Sequence, residues 1–199
     1  MARKQWYFAY GSNLDLERYE SRIKRATDEG IKINEEEYAE LPESDRETLK
    51  QIYHARPVTL SGYTLAFNKE RDGKHEHAGK KIKTAFSNIM PHKTGKVHGV
   101  IYSCTDEDFE KLDDAEGAPD HYERKTVKVV DLKTKKPING KVIAYIATEN
   151  MTTAKQLPPS DDYLDHIITG AKQHGLPTRY ITSIENKVYW IIDKQLLGF

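Results

Sequence analysis

The sequence predicts an α+β domain: a small mixed β-barrel with helices packed on it and a helical insertion after the first strand. Three observations carry this. Apolar and aromatic runs of strand length recur at residues 6–10, 58–67, 84–90, 97–102, 127–132 and 142–147. Helical patterns are few and do not alternate regularly with those runs, so no series of βαβ units forms. Many short strands with few helices suit a sheet that closes on itself. Finally, 199 residues suit a single domain, 1–199, large enough to bury its own core.

Trp6-Tyr7-Phe8-Ala9-Tyr10 is short, aromatic and uncharged, which reads as a buried first strand. From Leu14 to about Arg25 the apolar residues Leu14, Leu16, Tyr19 and Ile23 recur at helical spacing. Glu17, Arg18, Glu20, Arg22, Lys24 and Arg25 would cover the solvated face of that helix. Between strand and helix stands Gly11-Ser12-Asn13, a turn in which Ser12 or Asn13 can cap the helix. Residues 15–51 are charged and lack strand-forming runs. They read as a helical excursion on the main domain: a charged surface insertion, a lid or an oligomer contact.

Val58, Leu60, Tyr63, Leu65 and Phe67 predict one or two strands around Ser61-Gly62. Residues 68–83 are polar, with Gly73 and Gly79, and predict a mobile loop. A strand at 84–90 should stop at Pro91, and another should follow the Lys93-Thr94-Gly95 turn at 97–102. Thr105 is placed to cap a helix, with Asp106, Glu107 and Asp108 in its first turn, where they suit the dipole. Phe109, Leu112 and Ala115 share one face, and Gly117 ends it. Strands at 127–132 and 142–147 should form a hairpin through Asn139-Gly140. Pro158-Pro159-Ser160 opens a helix with Tyr163, Ile167, Ile168 and Ala171 on one side, closed by Gly175 and Pro177. A last helix starts at Thr178, and Val188-Tyr189-Trp190-Ile191-Ile192 should pack on the domain as a strand.

Composition narrows the function. Lys plus Arg and Asp plus Glu number 31 each, so no overall charge draws the chain to nucleic acid or a membrane surface. The basic runs Lys80-Lys81-Ile82-Lys83 and Lys133-Thr134-Lys135-Lys136 sit beside turns and read as solvated. A single cysteine, Cys104, excludes an intrachain disulfide, fits a reducing compartment, and reads as a small buried residue. No apolar run approaches the roughly 20 residues of a membrane span. The basic start Met1-Ala2-Arg3-Lys4 precedes too short an apolar run for a signal peptide, so a cytoplasmic protein is expected.

Two places offer chemistry. At Tyr10-Gly11-Ser12-Asn13, glycine lets a ligand approach the backbone, and the first N–H groups of a helix attract an anion or a developing oxyanion. The same tetrapeptide also fits a capped turn that binds nothing. Glu116 stands at the end of the helix that Thr105 starts. The negative end of the dipole there, and Asp113 and Asp114 if close in space, disfavour a further negative charge and so suit a general base. An exposed glutamate on a frayed helix end is the alternative. Metal chemistry is not expected: His75 and His77 are two apart, and neither a helical histidine pair nor HExxH occurs. No GxSxG elbow supports Ser12 as a nucleophile.

Three segments resemble the γ-glutamylcyclotransferases. Phe8-Ala9-Tyr10-Gly11-Ser12-Asn13-Leu14 is similar to the family's N-terminal signature. Leu112-Asp113-Asp114-Ala115-Glu116-Gly117, followed by Tyr122, is similar to its LDxxEG segment. Pro158-Pro159-Ser160-Asp161-Asp162-Tyr163, Gly170-Ala171-Lys172 and Gly175-Leu176-Pro177-Thr178-Arg179-Tyr180 are similar to its C-terminal pattern. The resemblance reaches from about Tyr7 to Tyr180 and omits roughly residues 15–51.

The resemblance implies a small barrel and a reaction in which a γ-glutamyl amide closes on itself, giving 5-oxoproline and a free amine or amino acid. It implies no cofactor and no metal. The expected partner is a small γ-glutamyl molecule, with neither nucleic acid nor membrane, and the oligomeric state stays open between monomer and homodimer. Glu116 takes the part of general acid and base. Tyr10, Gly11, Ser12, Asn13, Tyr122 and Tyr145 bind substrate, the three tyrosines as walls or hydroxyl donors. The turn amides hold either the oxyanion or the substrate carboxylate. The opening after Tyr10-Gly11-Ser12 differs from that of the glutathione-acting branch, which points away from it. Two other readings compete: a non-catalytic binder of a γ-glutamyl or other anionic metabolite, and a scaffold for an interaction platform at 15–51.

Overall fold

The uncharged run Gln5–Ala9 forms strand β1, in a computed structural model that describes residues 5–23, 53–77 and 79–196. A 3₁₀ turn, Ser12–Leu14, leads into helix α1, Leu16–Ile23. The rest of the predicted helical excursion lies outside the described residues. Then follow β2 (Arg56–Glu70), β3 (His75–His77), β4 (Lys80–Ile82) and β5 (Ala85–Cys104). Helix α2 is Asp106–Glu116, followed by β6 (Tyr122–Val127), β7 (Val129–Asp131) and β8 (Val142–Ala147). Helices α3 (Asp161–Gln173) and α4 (Thr178–Leu196) end the described chain.

Six strands form one sheet in the order β6-β8-β1-β5-β2-β7, curled into a half-barrel. β1 runs antiparallel to β5 and parallel to β8, so it is flanked on both sides. Gly99 lets β5 come this close: a Cβ there would stand 2.3 Å from Ala9 O. Helix α1 rests on the sheet through aromatic stacking. Tyr19 lies on Tyr102 with ring centroids 4.0 Å apart, and Tyr7 stacks on Tyr19 at 5.8 Å. Cys104 is buried beneath, its Sγ 3.0 Å from the Tyr19 hydroxyl.

Several sequence expectations change. The cap of α1 is Asp15, whose Oδ1 accepts the Glu17 N–H at 3.2 Å, because the 3₁₀ turn moves Ser12 and Asn13 too far back to reach it. The charged face of α1 is not simply solvated: Glu20 is buried, Arg18 Nε donates to Ser12 Oγ, and Arg22 pairs with Glu116. The polar stretch 68–83 is no loop. β2 continues to Glu70, and β3 and β4 pair as a small hairpin.

β5 runs through Pro91 without a break. Pro91 sits opposite Tyr63 where the register shifts, a place that tolerates a missing N–H. The strand expected at 127–132 starts earlier and splits: β6 joins β8, whereas β7 joins β2 at the far edge. Asn139-Gly140 therefore closes no hairpin. Ala115 is exposed rather than packed with Phe109 and Leu112. Residues 188–192 are helical, since Ile181, Ile184, Val188 and Ile191 are buried at helical spacing. Tyr189 and Trp190 of that helix are exposed. No helix among the described residues is long and apolar enough to cross a membrane.

Helix α3 crosses directly over the 3₁₀ turn. At Gly170, a Cβ would stand 2.1 Å from Leu14 C and 2.2 Å from Asp15 N, both backbone atoms. His166 Nδ1 pairs with Asp15 Oδ2 at 2.7 Å on the same face. Gly170→Ala is therefore expected to destabilise the fold by about 1–3 kcal/mol. Urea denaturation would show this as a lower midpoint with an unchanged slope.

Candidate functional site

The ends of β1 and α2 meet over one cavity of about 280 Å³. Helix α2 is fixed at both ends. The Thr105 side chain accepts from the Asp108 N–H, and the Asp108 carboxylate accepts from the Thr105 N–H in return. Gly117 then takes the left-handed conformation, φ 63°, and ends the helix immediately after Glu116. The last side chain of α2 is thereby aimed over the turn that follows β1.

Contact between the two is direct. Asn13 Nδ2 donates to Glu116 Oε1 at 3.0 Å and to the Tyr7 hydroxyl at 2.8 Å. Arg22 Nη1 donates to the same Glu116 oxygen at 2.5 Å. Both donors converge on Oε1, and no hydrogen bond from a described residue reaches Oε2. Asn13 Oδ1 is buried and has no hydrogen-bond partner among the described residues. The 3₁₀ turn closes through Leu14 N to Gly11 O and Asp15 N to Ser12 O. Neither bond uses the N–H of Gly11, Ser12 or Asn13, the donors expected to meet an anion.

Tyr10, Gly11, Ser12, Asn13, Glu116, Tyr122 and Tyr145, the seven residues singled out by sequence, all line this cavity. The tyrosines are walls, because their hydroxyls are already engaged. Tyr10 donates to Tyr145 O at 2.5 Å, Tyr122 to Ser87 O at 2.9 Å, and Tyr145 to Asp113 Oδ1 at 2.7 Å. Asp113 faces Arg124, with which it forms a two-point ion pair, while Asp114 stays on the cavity lining.

Gly11 shows how closely the walls fit. A Cβ there would stand 2.2 Å from Ser87 Oγ and 3.0 Å from Tyr163 Oη, two atoms that lie 2.8 Å apart in a hydrogen bond. Among the described residues, no cluster of three or more His, Cys, Asp or Glu side chains is arranged to hold a metal ion.

Sequence reasoning missed Arg22, Lys69, Ser87 and Tyr163, which also line the cavity. Tyr163 had a signal, its place on the buried face of a helix, but that pattern predicts core rather than cavity. Arg22 and Lys69 lay in stretches read as solvated helix and loop, where local pattern says nothing of long-range partners.

Burial pushes the Tyr7, Tyr10 and Tyr122 hydroxyls well above the ordinary phenol value, and the charge of Glu116 adds to this. The folded chain thus keeps them neutral at a pH where the unfolded chain ionises them. Their contribution to stability is complete below about pH 10 and is lost as pH rises toward their folded values. The melting temperature is expected to drop steeply above about pH 10, with phenolate absorbance appearing only as the protein unfolds. Phenolate absorbance from these rings in the still-folded protein would contradict the assignment.

Residues 96–184 match the model of the AIG2-like family. Among solved structures, a gamma-glutamyl cyclotransferase superposes with a TM-score of 0.64 at 24% identity, covering 92% of this chain and 87% of that one. An uncharacterized protein from Homo sapiens gives 0.61 at 25% identity, over 92% and 87% of the two chains. A yeast gamma-glutamyl cyclotransferase specific to glutathione gives 0.57 at 13% identity, over 95% and 97%. The first and third likenesses, below 25% identity, establish a common fold. No curated protein matches the chain.

Proposed function

We propose that this chain, which matches the AIG2-like family model over residues 96–184 and shares the fold of a gamma-glutamyl cyclotransferase, is a cofactor-free cyclotransferase. It closes a γ-glutamyl amide into 5-oxoproline and releases the amine. The observation that supports this most is the 3.0 Å contact between Asn13 and Glu116, which joins an acidic group and a turn rich in amide donors in one cavity. A cytoplasmic location, expected from the single cysteine, is part of the same proposal.

The chemistry follows from the two oxygens of Glu116. Oε1 is held by Asn13 and Arg22, which orients the carboxylate. Oε2 takes a proton from the substrate's α-ammonium, and the freed amine attacks the γ-carbonyl carbon of the same molecule. A carbon–nitrogen bond forms, and the carbonyl oxygen becomes an oxyanion. The protonated Glu116 then gives its proton to the amide nitrogen, and the original carbon–nitrogen bond breaks as the oxyanion re-forms the carbonyl. The attacking nitrogen, which still carries two hydrogens, gives one to the freed Glu116 carboxylate. 5-Oxoproline leaves, while the released amine takes that proton as its ammonium.

No enzyme nucleophile is needed, since the attacking group belongs to the substrate. The N–H groups of Gly11, Ser12 and Asn13 serve the negative oxygens of the glutamyl unit, whether oxyanion or α-carboxylate. The tyrosine walls hold the glutamyl arm in its folded form. Such confinement of an intramolecular reaction is worth up to about 7–11 kcal/mol of the barrier, against about 10²–10⁴-fold for the positioned base.

Incubation with γ-glutamyl-alanine is expected to release 5-oxoproline, detected by mass spectrometry. Glu116→Gln keeps the shape and the hydrogen bonding of one oxygen but removes the base, and should lower the rate by about 10²-fold or more. A fully active Glu116→Gln protein would show that the base is another group.

A further inference from the structure

Lys69 is a second cation of the cavity, and no carboxylate among the described residues pairs with it. The residue is 5% exposed and lines the same cavity as Glu116. Its ammonium makes one long hydrogen bond, 3.5 Å to Glu70 O, and lies 5.5 Å from the centre of the Phe86 ring. Among the described residues no carboxylate forms an ion pair with it; Glu116 and Asp72 act on it only through space. Arg22, the other lysine or arginine on the lining, is paired with Glu116. An ammonium taken out of water without an anion is costly, and burial pulls this one below the ordinary lysine value. Such a group is stabilised by a ligand that brings a carboxylate.

Its place in the fold says which carboxylate. The floor of the cavity is Tyr10, Ser12 and Asn13, all buried, with Glu116 directly on Asn13. A glutamyl unit that reacts with Glu116 is seated there. Lys69 is next to the last residue of β2, opposite Phe86 of β5, and the register shift between Phe67 and Lys69 is of the kind that re-aims a side chain. Just beyond it the chain runs out into the exposed residues Asp72, Gly73 and Lys74. Lys69 therefore stands at the strand end that leads out to solvent, although its own side chain is buried, and this is the side on which we place the released half of the substrate. In a γ-glutamyl amino acid that half carries a carboxylate two bonds from the scissile nitrogen.

Building on the cyclotransferase reading above, we propose that Lys69 binds the carboxylate of the leaving amino acid. It thereby selects γ-glutamyl amino acids over γ-glutamyl amines. Phe86, alongside, offers an apolar surface to the side chain of the leaving residue.

The test compares γ-glutamyl-alanine with γ-glutamyl-ethylamine, which differ only in that carboxylate, by kcat/KM for 5-oxoproline release. The wild-type protein is expected to prefer γ-glutamyl-alanine by about 10- to 100-fold, the worth of one charge-assisted contact. In Lys69→Met the loss should fall on γ-glutamyl-alanine, and the ratio should collapse to within about threefold. Lys69→Arg keeps the charge and should keep most of the preference. Thermal melts of both variants report folding, and Met in place of an unpaired buried cation should not lower the melting temperature. An unchanged ratio in Lys69→Met overturns the proposal. So does an equal loss on both compounds, which would assign Lys69 to the glutamyl carboxylate instead. Absence of 5-oxoproline from both compounds with wild-type protein would overturn the cyclotransferase reading itself, and this proposal with it.

Discussion

A single hydrogen bond, from the Asn13 side-chain amide to the Glu116 carboxylate at 3.0 Å, ties together two elements 103 residues apart. Much of the architecture serves to make it. β1 must run between β5 and β8, so that the turn after it emerges in a fixed place. Helix α2 must begin at a doubly bonded cap and stop at a left-handed glycine, so that its last side chain arrives over that turn. Helix α3 must come within contact distance of the turn backbone, which only a residue without a side chain at 170 permits. In a partly buried site a charge-assisted bond of this kind is stronger than in water, and it locks the carboxylate in one orientation.

Around that bond the cavity is lined with groups that have already settled their own hydrogen bonding. The hydroxyls of Tyr10, Tyr122 and Tyr145 donate to protein oxygens, and Ser87 and Tyr163 satisfy each other. Walls of this type do not need to rearrange when a small molecule enters. Their cohesion keeps them rigid, and a rigid enclosure suits a reaction whose main difficulty is bringing two ends of one flexible molecule together. Among the described residues, the informative polar atoms are therefore Glu116 Oε2, the turn amides and the Asn13 Oδ1 orphan, which no other protein group takes up, and the Lys69 ammonium, which has one long bond to Glu70 O.

Charge is distributed unevenly within the enclosure. Arg22 balances Glu116 on one side, and Arg124 keeps Asp113 apart from it on another. The chain as a whole carries equal numbers of acidic and basic residues, so the field that a ligand meets comes from these few side chains and not from net charge. Local placement, rather than composition, sets which small molecules are attracted.

What the sequence determined by itself is the local order: the uncharged first strand, the Gly11–Asn13 turn, the Thr105 cap and Gly117 stop, the start of α4, and most of the buried faces of α2 and α3. These depend on periodicity and on the conformational demands of neighbouring residues, which a single stretch of chain expresses without help. The resemblance that these stretches carry implies one site for Tyr10, Asn13, Glu116, Tyr122 and Tyr145. Only the tertiary structure decided which strands pair, sending β7 and β8 to different partners despite the Asn139-Gly140 signal between them. It alone turned Arg22 from a solvated helix face onto Glu116, and Lys69 from a supposed loop into the cavity. The reason is physical: a charged residue in a polar stretch has the same local pattern whether it ends in water or against a group a hundred residues away. Which of these happens depends on how the half-barrel curls and what it brings near.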